Sequence, residues 1–238
     1  MSLRRSVEPE ILDEMPADDR RAIQARRGLK RLNAFVLQTG IMAPILARQW
    51  PQASSPPRTI LDLGAGDGTF SLSVARRLAA RWGGVTITLL DRQNIVTQET
   101  RDAFAALGWK AETVTADVLD YLERIKAIGV DVITTNLFLH HFRDEQLARL
   151  LGLAAQSARL FVACEPRRNK FSLRASRLSW ALGCNEVALH DAIVSVRAGL
   201  AGQELTALWP TDEPSQGQWI VQEYEARLFT HCFVARRR

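Results

Sequence analysis

Ile60-Leu61-Asp62-Leu63-Gly64-Ala65-Gly66-Asp67-Gly68-Thr69-Phe70 is the stretch that decides the fold. Its apolar opening, Ile60, Leu61 and Leu63, suits a short strand buried on both faces, as the central strand of a parallel sheet is. Glycine then recurs at every second position, so the chain can turn sharply and bring its backbone close to a ligand. From Thr69 to Leu78 apolar residues return at helical spacing. Strand, glycine turn and helix in this order form the nucleotide site of a doubly wound α/β sheet. The loop reads G-x-G-x-G, not the G-x-G-x-x-G of a dinucleotide site. Asp67 lies inside it, where a carboxylate would repel a pyrophosphate and suits a ligand bearing an ammonium and a sulfonium.

The 238 residues are enough for one α/β domain with an added segment, and 47% of them are hydrophobic, which supplies a core. No apolar run reaches membrane-spanning length and no signal core follows Met1, so the expected location is the cytoplasm. Cys164, Cys184 and Cys232 are odd in number and far apart, giving neither a disulfide framework nor a metal pattern, and no metal is expected. The net charge of +5 comes mostly from arginines spread along the chain. That permits nucleic-acid binding without arguing for it.

Residues 1–57 precede the sheet and read as a helical lid, with a turn near 9–15 and helices over 20–38 and 41–49; Arg31 and Asn33 are candidates to reach inward. From 58 strand and helix alternate. Strands are expected at 85–90, 110–115, 131–136 and 159–164, with helices at 94–107 and 145–156. Asp91 closes the second strand, one βαβ unit after the glycines, where a carboxylate takes ribose hydroxyls; a turn or cap is its other reading. Asp117 follows the third strand. Residues 167–216 exceed a normal crossover and read as a helical insertion at 171–182 and 186–200, with 205–210 open between helix and strand. Segments 219–225 and 228–235 alternate and pair antiparallel at the sheet edge. Arg167 and Arg168 could bind a substrate carboxylate, the solvated charge pair being the favoured reading.

The D-x-G-x-G-x-G run, with Asp91 and Asp117 at their spacings, resembles motif I and its companions in class I S-adenosylmethionine-dependent methyltransferases. The resemblance covers about 58–165 by motif and the remainder by element order. It implies an α/β, doubly wound, seven-stranded, mostly parallel sheet of Rossmann-like type with an antiparallel last strand. It also implies S-adenosylmethionine as cofactor. Gly64, Ala65 and Gly66 would then approach the methionine part, with Asp62 orienting its ammonium directly or through water. Asp91 and the adjacent Arg92 would lie at the ribose, Asp117 and Val118 at the adenine, and Asn136 near the methionine part. Asp117 as a simple helix cap stays open. The string Asn136-Leu137-Phe138-Leu139 departs from the N-P-P-Y of amino-group methyltransferases, which argues against a nucleobase amine as acceptor. His190-Asp191-Ala192 and the residues from Ser195 to Gly199 resemble bacterial methyltransferases of aromatic or polyketide pathways.

Methyl transfer gains most from holding the acceptor about 3 Å from the methyl. A hydroxyl acceptor must also lose a proton, for which a histidine adds about 10² to 10⁴. His140 and His141 follow the fourth strand, and His190 stands beside Asp191 in the insertion. His141 and His190 lead as base, pure proximity being the alternative. Glu165 ends the fifth strand, facing the same crevice. Phe35, Phe138, Phe171 and Trp180 are candidates for an apolar pocket. The expected function is O-methylation of a small aromatic or polyketide-type molecule by a possible homodimer. The rivals are an RNA or protein methyltransferase, a cofactor-binding regulator without catalysis, and an NAD or nucleoside enzyme.

Overall fold

The computed structural model describes residues 3–16, 18–36, 38–50, 55–210 and 218–238. The side chains of Asn33, Phe35 and Trp180, and the roles expected of them, lie outside the described residues. Three helices come first, α1 (Ile11–Glu14), α2 (Arg20–Val36) and α3 (Thr39–Gln49). The alternating region follows as β1 (Thr59–Leu63), α4 (Thr69–Leu78), β2 (Thr86–Asp91), α5 (Gln98–Ala105), β3 (Lys110–Thr115), α6 (Val118–Ile125), β4 (Val130–Asn136), α7 (Asp144–Ser157) and β5 (Ala158–Pro166). Then come α8 (Lys170–Ser176), α9 (Glu186–Ala198), α10 (Glu204–Leu208), β6 (Trp219–Ala226) and β7 (Thr230–Arg237).

The seven strands form one sheet in the order β3-β2-β1-β4-β5-β7-β6. Pairing is parallel from β3 to β5, while β7 runs antiparallel to both β5 and β6. This is the expected sheet, with β1 beside β4 at the point where strand order reverses. Alternate residues of the strands feed two cores. Ile60, Ile87, Leu89, Val132 and Val162 pack with α3 and α4; Leu61, Leu63, Leu90, Ile133 and Phe161 pack with α6, α7 and α10. Ile41, Met42, Ile45 and Leu46 of α3 belong to the first of these cores, so the end of the N-terminal segment is part of the sheet layer and only α1 and α2 stand apart from it.

Several expected elements shift. The helix expected over 171–182 is α8 followed by a short 3₁₀ turn, Ser179–Leu182. The open 205–210 segment is helical, because Glu223 accepts hydrogen bonds from the backbone N–H groups of Leu205 (3.1 Å) and Thr206 (2.7 Å) and so caps α10. Glu223 also holds the buried His231 at 2.8 Å. Arg167 and Arg168 are not a solvated pair. Arg168 is buried and donates to the carbonyls of Leu3 (2.8 Å) and Gly199 and to Glu204, while Arg167 pairs with Glu225. Among the described residues no helix is long and apolar enough to cross a membrane.

The insertion joins the sheet through one close approach. Leu200 N–H donates to the Pro166 carbonyl (2.9 Å), and a Cβ on Gly199 would sit 2.3 Å from that same oxygen. Gly199→Ala is therefore expected to cost about 1–3 kcal/mol in urea unfolding by overpacking; a cost below about 0.5 kcal/mol would show that this junction yields freely.

Candidate active site

The carboxyl ends of β1, β2 and β4 converge on the glycine loop. Gly64, Gly66 and Gly68 all have left-handed φ, of 69°, 55° and 74°, which only glycine adopts without strain. The N–H groups of Gly64 and Ala65 both donate to the Leu90 carbonyl, at 2.9 and 3.0 Å, and tie the loop to β2. Phe138 lies on Gly64, since a Cβ there would meet its ring at 2.3 Å, whereas a Cβ on Gly66 would meet nothing within 4 Å. The middle of the loop is thus open to a ligand.

Each expected cofactor residue has a definite place. Asp91 accepts from Gly66 N–H (2.8 Å) and Gln93 N–H (2.9 Å), so its carboxylate is fixed at the loop's edge. Arg92 follows it at the end of the strand and is exposed. Asp117 caps α6, as its simpler reading required: Leu119 N–H (2.9 Å) and Asp120 N–H (3.4 Å) both donate to Oδ1. Val118 is buried in the core beneath α6. Asn136 ends β4, and its Oδ1 is buried with no hydrogen-bond partner. Leu137, the next residue, has a left-handed φ of 56°, which costs a non-glycine residue about 1–2 kcal/mol. Orphaned polarity and backbone strain side by side are marks of a functional site.

Asp62 already has two hydroxyl partners. It is buried, and it accepts from the hydroxyls of Ser71 and Thr134, the latter at 2.9 Å. Burial, with a smaller contribution from the Asp91 charge, pushes its pKa up to about 6 against the pull of the two hydroxyls. Asp67 pairs with Lys30 of α2 and also accepts from the Thr69 hydroxyl at 2.7 Å. Arg26 of α2 donates to Gln93 at 3.0 Å, and Arg31 donates to the Gly183 carbonyl at 3.1 Å rather than reaching inward. Helix α2 therefore runs beside the loop, with an open groove of about 650 Å³ between it and residues 183–185. No sequence spacing announces the Lys30–Asp67 pair, because its members are 37 residues apart.

The histidines belong to a second cluster. Glu165 is fully buried and accepts from the N–H groups of Phe138 (3.0 Å), Leu139 (2.9 Å) and His140 (3.3 Å) and from His140 Nδ1 at 2.7 Å. It shapes the 3₁₀ turn Leu139–His141 instead of facing the crevice. His140 Nε2 lies 3.2 Å from Glu10, just before α1. His141 donates from Nδ1 to the Phe138 carbonyl (2.8 Å), and its Nε2 is 3.4 Å from Glu10 and 3.5 Å from Asp13. Burial alone would lower the His141 pKa, but the Glu10 and Asp13 carboxylates outweigh it and hold the value up at about 9. His190 is half exposed, 3.1 Å from Asp191, which itself accepts from Ile11 N–H (2.9 Å) and Leu12 N–H (3.0 Å). Of the expected pocket aromatics, Phe138 is at the loop and Phe171 is an exposed ring stacked on Phe229 at 5.5 Å.

Residues 60–159 match the methyltransferase domain family. They are a methyltransferase domain. Uncharacterized methyltransferases of Mycobacterium tuberculosis are 32% identical over 106 residues, 43% of this chain; the chain spans about half of their length, 48%. The plantazolicin methyltransferase BpumL, solved in complex with SAH, superposes with a TM-score of 0.66 at 14% identity over 93% of this chain and 92% of that one. The mitomycin 7-O-methyltransferase MmcR gives 0.58 at 18% identity over 95% and 60%. At these identities the likeness of the solved structures is one of fold. The match ends seven residues before Pro166, so the insertion and the segment carrying Glu10 lie outside it.

Two outcomes follow for the methyltransferase domain. Gly66→Ala adds a methyl in open space at a left-handed position, so it should lose only about 1–2 kcal/mol of stability while weakening S-adenosylhomocysteine binding in calorimetry; unchanged binding would place the ligand elsewhere. Asp62 has a folded pKa of about 6 against an ordinary 3.8, so the native state binds more protons between these values and stability falls as pH rises through that window. At about 1.4 kcal/mol per pKa unit the fall is about 3 kcal/mol. Asp62→Asn should remove that slope from chemical unfolding measured between pH 4 and pH 6.

Proposed function

We propose that this chain is a cytoplasmic enzyme that transfers a methyl group from S-adenosylmethionine to oxygen on a small aromatic or polyketide-type molecule. The observation that carries the reading is the orphaned Asn136 Oδ1 beside an open glycine loop within a methyltransferase domain. An unsatisfied buried carbonyl costs about 1–3 kcal/mol, which an ammonium donor would relieve. Asn136 and the backbone of Gly64, Ala65 and Gly66 would hold the methionine part. Asp91, with Arg92 beside it, would take the ribose, its carboxylate already oriented by two backbone N–H groups. Asp117 uses Oδ1 for its cap, leaving Oδ2 for the adenine amine next to Val118. When bound, the cofactor supplies an electrophilic methyl on a sulfonium.

The chain's own part is to bind, orient and enclose. Lys30 neutralises Asp67 and brings α2 over the loop, which supports its reading as a lid. The structural neighbours named for O-methylation and for natural-product substrates support the acceptor class. His141 Nε2 faces the Glu10 and Asp13 carboxylates, whose charge favours its protonated form and makes it a poor base. His140 is enclosed between Glu165 and Glu10. Proximity is then the main source of rate, with His190 the one described histidine of the expected three left to assist.

Calorimetry on the full chain with S-adenosylhomocysteine and NAD tests the cofactor; preferential NAD binding ends the proposal. Asp91→Ala should weaken S-adenosylhomocysteine by about 1.5–3 kcal/mol for the lost charged hydrogen bonding. His190→Ala should keep its rate within about tenfold, whereas a loss of about 10² or more would make it the base.

A further inference from the structure

Glu10, His140 and His141 each offer a ligand atom, and these atoms lie within 4.8 Å of one another. The hydrogen bonds around them fix which atoms those are. His140 Nδ1 meets the Glu165 carboxylate at 2.7 Å and His141 Nδ1 meets the Phe138 carbonyl at 2.8 Å. Both partners only accept, so both Nδ1 atoms carry hydrogen. Each Nε2 is left facing Glu10, His140 at 3.2 Å from Oε1 and His141 at 3.4 Å from Oε2. Asp13 Oδ2 comes within 3.5 Å of His141 Nε2 from the solvent side. With neutral rings, acceptors face acceptors, and positive charge has to lie among them. His141 Nε2 is a buried atom that forms no hydrogen bond.

We propose that Nε2 of His140, Nε2 of His141 and the Glu10 carboxylate form a site for a first-row divalent transition cation such as Zn²⁺, with Asp13 beside its open position. Ligands 2.0–2.2 Å from a tetrahedral ion lie about 3.3 Å from each other. Each imidazole Nε2 lies about one such edge from its own Glu10 oxygen, 3.2 Å from Oε1 for His140 and 3.4 Å from Oε2 for His141, and both distances are long for a charge-assisted hydrogen bond. Two imidazoles and one carboxylate favour zinc-like ions over magnesium or calcium. The supporting contacts of a metal site are also present: a carboxylate and a carbonyl set the two tautomers, and the Ser195 hydroxyl donates to Glu10. The cation would clamp the segment before α1 to the end of β4. The expectation of no metal, drawn from cysteine spacing, missed this set because Glu10 is 130 residues from His140. The site is independent of the methyl-transfer reading.

The test is a Zn²⁺ titration of the full chain, freed of metal by EDTA dialysis, near neutral pH. One Zn²⁺ per chain is expected, with a raised Tm. Glu10→Gln and His141→Gln should each weaken binding by about 100-fold or more, with circular dichroism reporting that they fold. Absence of saturable binding, or equal binding by wild type and both variants, overturns the proposal and leaves protons as the charge between Glu10 and the imidazoles. Should the variants not fold, Co²⁺ loaded into the wild-type chain reads the ligands. Tetrahedral bands without thiolate charge transfer support the site, and thiolate bands or no tetrahedral bands overturn it.

Discussion

A carboxylate taken out of water must be met by donors or charge, and Glu165 meets this constraint in a way that orders its neighbourhood. Three consecutive N–H groups, from residues 138 to 140, and one imidazole converge on it. Those donors stay together only while the chain leaves β4 in a tight turn. The turn in turn presents Phe138 to the glycine loop and both imidazoles to Glu10. Its cost includes the left-handed backbone at Leu137, which the surrounding bonds overdetermine.

The crevice itself is built from the opposite kind of economy. Glycine supplies conformations that side chains resist, and the N–H groups of Gly64, Ala65 and Gly66 are committed to Leu90 and Asp91. At the adjoining end of β4 the Asn136 side-chain carbonyl and the Thr135 hydroxyl remain unsatisfied. A rigid rim with unsatisfied polar atoms beside it is the form of a preorganised binding site. Ser71 and Thr134 serve the same rigidity from below by holding Asp62 between α4 and β4.

The sheet and the loop were legible because their signals are local. Strand hydrophobicity, glycine spacing and the acid at the end of β2 are set within one βαβ unit, and each lies where it was expected. Side-chain direction was less legible. Asp62 sits in the motif yet faces two hydroxyls, and Glu165 faces the turn, because strand parity and long-range donors decided each. Least legible were Glu10, Lys30, Arg168 and Asp191. Their partners are tens to nearly two hundred residues away, and an isolated Glu or Lys in a polar segment carries no mark of its eventual partner.

The anchoring of residues 5–12 also constrains the order of assembly. Arg5 donates to the carbonyls of Ala198 and Phe142, and Ile11 and Leu12 are held by Asp191. These partners leave the ribosome some 130–190 residues later. Residues 5–12 are therefore among the last to dock, and until they do the imidazoles of the turn stand uncovered. Contacts of such long separation slow folding, and a nascent chain lacking α9 lacks the carboxylate that holds Ile11 and Leu12.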